Sequence, residues 1–158
     1  MEHLLLKSLD FRMSPPTISW FLMHYLRFVK LGTSLNTPAH KDLYNRIECL
    51  ARYLCELTLI DADTFLGYLP SQVAASALYL SFYTLGRPWT KQVAEIVGYN
   101  YDLSELRTCI CDLHKSMQEA PRHPQQAIQE KYKQPRFEYA SLVDPPQSLP
   151  AHLYVTPQ

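Results

Sequence analysis

The chain has 158 residues, 47% of them hydrophobic and 19% charged, with 15 Lys and Arg against 15 Asp and Glu. That length supports one domain with a substantial core, and zero formal net charge argues against a basic face for nucleic acid or an anionic membrane. Runs such as Ile18 to Leu26 are interrupted by polar or charged residues well before the roughly 20 apolar residues that span a bilayer, so a soluble chain is expected.

The first stretch, MEHLLLKSLDFRMSPP, carries an acid at Glu2, has only a short apolar run and lacks a small-residue cleavage site. It does not fit a secretory signal, which points to an intracellular location. After Pro16, Thr17 can cap a helix in which Ile18, Phe21, Leu22, Tyr25, Phe28 and Val29 cover one broad face, ending near Lys30 before Gly32. From about Ala39 to Leu59 the residues Leu43, Ile47, Leu50, Leu54 and Leu57 recur at steps of four, three, four and three, the period of a helix face. Lys41, Asp42, Arg46, Glu48 and Arg52 fall largely off that stripe, as an amphipathic helix on a core requires.

Asp61-Ala62-Asp63 precedes an aromatic turn and reads as capping chemistry rather than an acid/base pair. Ser71 to Tyr83, SQVAASALYLSFY, is apolar nearly all round and rich in Ala and Ser, the composition of a central helix approached closely by its neighbours. Thr90 can cap a short helix through Val97, which Gly98 ends. Asp102 or Ser104 is expected to begin another helix, carrying Leu103, Leu106, Ile110, Leu113 and Met117 until Pro121 stops it. Beyond Pro121, Gln125 to Tyr132 can form one short helix, and part of the stretch containing Tyr132, Phe137 and Tyr139 should pack across the body. Asp144 to Gln158 has no structure assigned to it.

Four cysteines, Cys49, Cys55, Cys109 and Cys111, form no C-x-x-C pair and read as buried thiols. The six His are scattered without a partner at metal-ligand spacing, and His114 reads as a half-buried polar residue. No phosphate loop, nucleophile elbow or kinase signature occurs. No catalytic residue, metal, cofactor or small-molecule ligand is therefore expected, and the chain reads as non-enzymatic.

Five helices, one of them a central and nearly all-apolar rod, do not by themselves specify a function. Particular strings do carry a resemblance: MEHLLLKSLDF at Met1 to Phe11, LCELTLIDAD at Leu54 to Asp63, YLPSQVAASALYLSFYTLG at Tyr68 to Gly86, DLH at Asp112 to His114, and QQAIQEKYK at Gln125 to Lys133. In this order and at these separations the chain resembles the C-terminal half of an A-type cyclin, and LIDAD followed by YLPS is closer to the A-type than to the B-type. The resemblance implies an all-α fold, a cyclin-box five-helix domain with a central apolar helix, preceded by a helical stub and followed by an extended tail. Residues 1–13 would be the last helix of a first cyclin box and its linker, 14–121 the C-terminal cyclin box, and 122–158 a partly irregular C-terminal extension.

What the resemblance implies about function is a regulatory subunit of a cyclin-dependent serine/threonine kinase in cell-cycle control. Such a subunit holds the kinase C-helix in its active position, and its location is nuclear, with the cytoplasm as a second compartment. The kinase-binding positions carried over are Glu2, Leu6, Phe11 and Met13. Glu2 would accept hydrogen bonds from the kinase backbone, and Leu6 and Met13 would line a pocket for an apolar kinase side chain with Phe11 nearby. Met13 stands where the family pattern has Leu, a change close in volume. The bland alternative for this stub is a fraying helix whose apolar side, Leu4, Leu5 and Leu9 included, leans on the second box. With most of a first box not in the sequence, the chain alone is expected to activate a kinase poorly. Two other readings stay open: a helical interaction module without kinase activation, and a nucleic-acid-binding relative of the same fold, which the balanced charge disfavours.

Overall fold

Residues 70–84 offer no polar side to solvent, and a computed structural model, which describes residues 2–11, 14–33, 35 and 37–154, puts them at the centre of the molecule. Eight α-helices form among the described residues: α1 Glu2–Ser8, α2 Ile18–Gly32, α3 Lys41–Leu57, α4 Ala62–Phe65, α5 Pro70–Thr84, α6 Lys91–Val97, α7 Arg107–Glu119 and α8 Ala127–Tyr132. The described residues contain no strand.

In α5 the run from Val73 to Phe82 is buried without a break. Ala74, Ala75 and Ala77 keep its girth small, so α2, α3 and α7 all pack against it. A helix enclosed on every side has no use for amphipathicity. Of its two buried serines, Ser81 is satisfied locally, its hydroxyl donating to the Ala77 carbonyl at 2.7 Å, a bond that keeps a polar atom inside without a distant partner.

The surrounding helices follow the spacing of their apolar residues. Thr17 accepts from the Trp20 amide at 3.2 Å and opens α2, which buries Leu22, Tyr25, Leu26 and Val29. Phe28 does not join them: it is 45% exposed, and Leu26 takes the place expected for it. The helix also runs two residues past Lys30, to Gly32. There a Cβ would meet Ile96 Cδ1 of α6 at 2.8 Å, so glycine permits the close approach. In α3 the stripe Ile47, Leu50, Leu54 and Leu57 is buried as the period requires. Asp61 accepts from the Thr64 amide and caps α4, Thr90 accepts from the Val93 amide at the start of α6, and Gly98 ends α6 in the left-handed conformation at φ +79°.

Two expectations need correction. The helix expected from Asp102 or Ser104 begins only at Arg107. Asp102 Oδ1 instead accepts from both the Ser104 amide, at 3.0 Å, and its hydroxyl, at 2.8 Å, and Leu103 turns left-handed at φ +61°. These hydrogen bonds hold the Asp102 carboxyl below the usual carboxylate range. An Asp side chain that satisfies backbone this way competes with helix formation, yet Leu103 and Leu106 still reach the core.

The second correction concerns the tail. Leu149 and Leu153 are buried, and Ala151–Leu153 forms a 3-10 turn. Tyr83 donates to the Ser148 carbonyl at 3.1 Å and Tyr154 accepts from the Leu149 amide at 3.1 Å. The segment lacks period because it is anchored residue by residue, through backbone carbonyls and separate apolar pegs, rather than along a helix face. Residues 155–158 lie outside the described ones.

Candidate functional site

The four thiols, the His114 imidazole and the Asp112 carboxylate are committed to structure. Burial pushes the Cys109 thiol up to about 12 and raises Cys55 as well, while Cys49 and Cys111 are raised chiefly by the same desolvation. A thiol so shifted presents almost no thiolate at neutral pH. All four are free thiols. His114 is buried more deeply than expected, with Nε2 2.7 Å from the Pro146 carbonyl and 3.2 Å from Gln118 Nε2. Tyr68 donates to Asp112 at 2.6 Å, and its hydroxyl is pushed up to about 12 by burial and by that carboxylate. Among the described residues no group of three His, Cys, Asp or Glu could hold a metal ion.

One exposed apolar surface is the helix at the start of the chain. Glu2 and Leu6 are one helical turn apart on α1 and therefore share a face. Glu2 occupies the first turn, where a carboxylate is favoured by the helix dipole. The helix closes on itself: the Leu9 amide donates to the Leu5 carbonyl at 3.0 Å, the Asp10 amide to Lys7 at 3.2 Å and the Phe11 amide to Leu6 at 2.9 Å. Asp10 and Phe11 both take left-handed φ values, +51° and +55°. This double reversal leaves Phe11 beside the C-terminal end of the turn that carries Leu6. Three of the four predicted positions, Glu2, Leu6 and Phe11, thus belong to one short unit; Met13 lies outside the described residues.

None of the residues of α1 is buried. Leu6 is half-buried and Phe11 is 62% exposed, and the leucines offered as a side that leans on the body are exposed too: Leu4, Leu5 and Leu9 at 71%, 59% and 54%. These large apolar side chains lie in water rather than in a core.

A second exposed apolar face escaped the sequence reading. On the outer side of α2, Trp20, Met23, Phe28 and Leu31 all face solvent. At roughly 100° per residue the four fall within an arc of about 140° opposite the buried stripe of Leu22, Tyr25, Leu26 and Val29, so the sequence does place them on one side of the helix.

Similarity to known proteins bears on the whole of this architecture. The family model described as cyclin, C-terminal domain, matches residues 16–146. The chain is 41% identical to cyclin-A2 of Gallus gallus over 150 residues, covering 94% of this chain and 34% of that protein. It is 44% identical to cyclin-A1 of Mus musculus over 151 residues, 95% of this chain and 32% of that one. Against the G2/mitotic-specific cyclin-A of Patella vulgata it is 41% identical over 150 residues, 94% of this chain and 32% of the relative. The chain spans about a third of the length of the curated relatives it matches.

Proposed function

This chain belongs to the cyclin family through its C-terminal domain, and from that premise we propose that it serves an A-type regulatory subunit of a cyclin-dependent serine/threonine kinase in cell-cycle control. The reading is supported by similarity to cyclin-A1 and cyclin-A2 over almost the whole chain. It includes the division into the last helix of a first box over residues 1–13, the second box over 14–121 and its extension. It also includes a nuclear location.

The mechanism is one of binding. A rigid helical body that recognises only the inward position of the kinase C-helix shifts the kinase toward that conformation by its differential affinity. The bond-making groups then belong to the kinase, where a Lys–Glu ion pair must be in place for phosphoryl transfer. On this reading the Glu2 carboxylate accepts from kinase backbone amides, Leu6 and Met13 line the pocket for an apolar kinase side chain, and Phe11 borders it. The single observation that carries the assignment is that Glu2 and Phe11 are exposed and Leu6 is only half-buried, on a helix and its closing turn, the helix burying none of its residues.

These side chains form a small part of the roughly 800 Å² that each partner gives to a stable interface, so the chain alone should bind weakly and stimulate little. The test titrates this chain against a purified cyclin-dependent kinase and follows both binding and phosphorylation of a peptide substrate. Expected are weak, saturable binding, a loss of about tenfold on Leu6→Arg, and minor stimulation. Binding that Leu6→Arg leaves intact overturns the site; strong stimulation by the chain as sole cyclin overturns its dependence on a larger interface.

A further inference from the structure

The outer face of α2 is a second place where this protein spends apolar side chains on solvent, and it has a definite shape. Trp20, Met23, His24 and Leu31 line one side of a groove of about 860 Å³, and Tyr44 of α3 stands on the other. The Trp20 and His24 rings stack at 5.3 Å and 11°, and His24 meets Phe28 at 4.7 Å, so the aromatic shelf is fixed before anything binds.

The charges in the groove have one sign. Arg27 and Lys30 line it and no carboxylate does. Lys30 sits 4.6 Å above the Tyr44 ring, and Arg27 makes no ion pair among the described residues. The acid beside Tyr44 is Glu48, which hydrogen-bonds it and is held by Arg52 at 2.7 Å, the same guanidinium reaching Met23 Sδ at 2.8 Å. Along the helix Trp20 and Met23 precede Arg27 and Lys30 by about 10 Å.

We propose that this groove is a docking site for a short acidic–apolar peptide segment of a partner protein, with large apolar side chains against Trp20 and Met23 and carboxylates about three extended residues further on, against Arg27 and Lys30. Charge complementarity selects this occupant. A second copy docked face to face would set Arg27 and Lys30 against themselves. Nucleic acid would find only Arg27, Lys30 and the Glu48-paired Arg52 here, on a chain of zero net charge, too few phosphate contacts for useful affinity. The inference does not rest on the kinase reading, which concerns residues 1–13.

The test selects peptides of about 12 residues from a random displayed library against the whole chain at low salt, then titrates the strongest as a labelled synthetic peptide. Expected are selected sequences with an aromatic or branched aliphatic residue and an excess of acids. Their affinity should fall about tenfold on Arg27→Glu and on Trp20→Ala, and several-fold at high salt. Both positions are exposed, so the variants keep the melting temperature of the parent chain, and Arg27→Lys retains most of the binding. Selected peptides without acidic excess, affinity unmoved by both substitutions, or no saturable binder at all overturn the proposal. So does a result in which Arg27→Glu abolishes self-association or oligonucleotide binding while peptide binding persists.

Discussion

The two segments that flank the helical body are opposites. At one end α1 is leucine-rich and regular, yet buries nothing and is held together by its own turn. At the other, residues 123–154 are proline-rich and irregular but are fastened to the core by Tyr132, Ala140, Leu149 and Leu153. The polar links are as specific: Lys131 and Tyr132 both donate to Glu56, at 2.6 and 2.7 Å, Gln129 donates to the Tyr53 hydroxyl at 2.9 Å, and Ser141 donates to the Gln129 carbonyl at 2.9 Å. Apolar content therefore does not decide which segment is fixed. What decides is whether the body offers a socket, and α1 has none.

Alkali is the broadest way to break this contrast. Burial, foremost, pushes the hydroxyls of Tyr25, Tyr44, Tyr53 and Tyr79 up to about 12, and burial followed by the Glu56 hydrogen bond raises Tyr132 further still. Because the folded values lie above the unfolded one near 10, the stability these groups contribute is complete below pH 10 and disappears as the pH climbs through 12. Melting temperature should be flat up to about pH 10 and then fall steeply; a flat profile to pH 12 contradicts the burial of these tyrosines.

Next in size is Tyr132→Ala, which empties a fully enclosed site and should cost about 3–4 kcal/mol in urea unfolding, with Leu153→Ala close behind at about 2–3 kcal/mol. An effect of Leu153→Ala below about 0.5 kcal/mol would mean that the tail is not part of the folded unit. Glu56→Gln sharpens the comparison on its polar side. It weakens two contacts at once, but Lys131 and Glu56 are both about a third exposed or more, so the loss should stay near 1 kcal/mol. Smallest is the other flank: Leu5→Ala and Phe11→Ala should each move stability by less than about 0.5 kcal/mol. A larger change there would show that α1 is seated after all.

The body was legible because its residues act in rows. The stripe of α3, the all-round apolarity of α5 and the caps Thr17, Thr90 and Gly98 each state their own structure locally. The late start of α7 was not legible, because Asp102 satisfies the criteria for a helix cap and for a local turn equally well, and only the burial of Leu103 in a left-handed conformation decides between them. Nor was the anchoring of the tail, since single pegs such as Leu149 and bonds to carbonyls such as Ser148 leave no period to detect. Of the candidate site, the sequence supplied the positions Glu2, Leu6 and Phe11 through resemblance. What it could not supply was their exposure, which depends on what the rest of the surface leaves uncovered.

The wrapping of the last segment has a practical consequence for anyone handling this protein. A recombinant piece cut after Pro121, where the last long helix stops, would leave open the hollows that Tyr132, Ala140, Leu149 and Leu153 fill, and would expose greasy walls to neighbouring molecules in the tube. Such a product should precipitate or need chaperones for recovery, whereas an expression boundary at or after Tyr154 retains the plug. Fusion tags belong beyond that point too, because a bulky partner inserted between α8 and Leu153 would pull the closing stitches out of the seam.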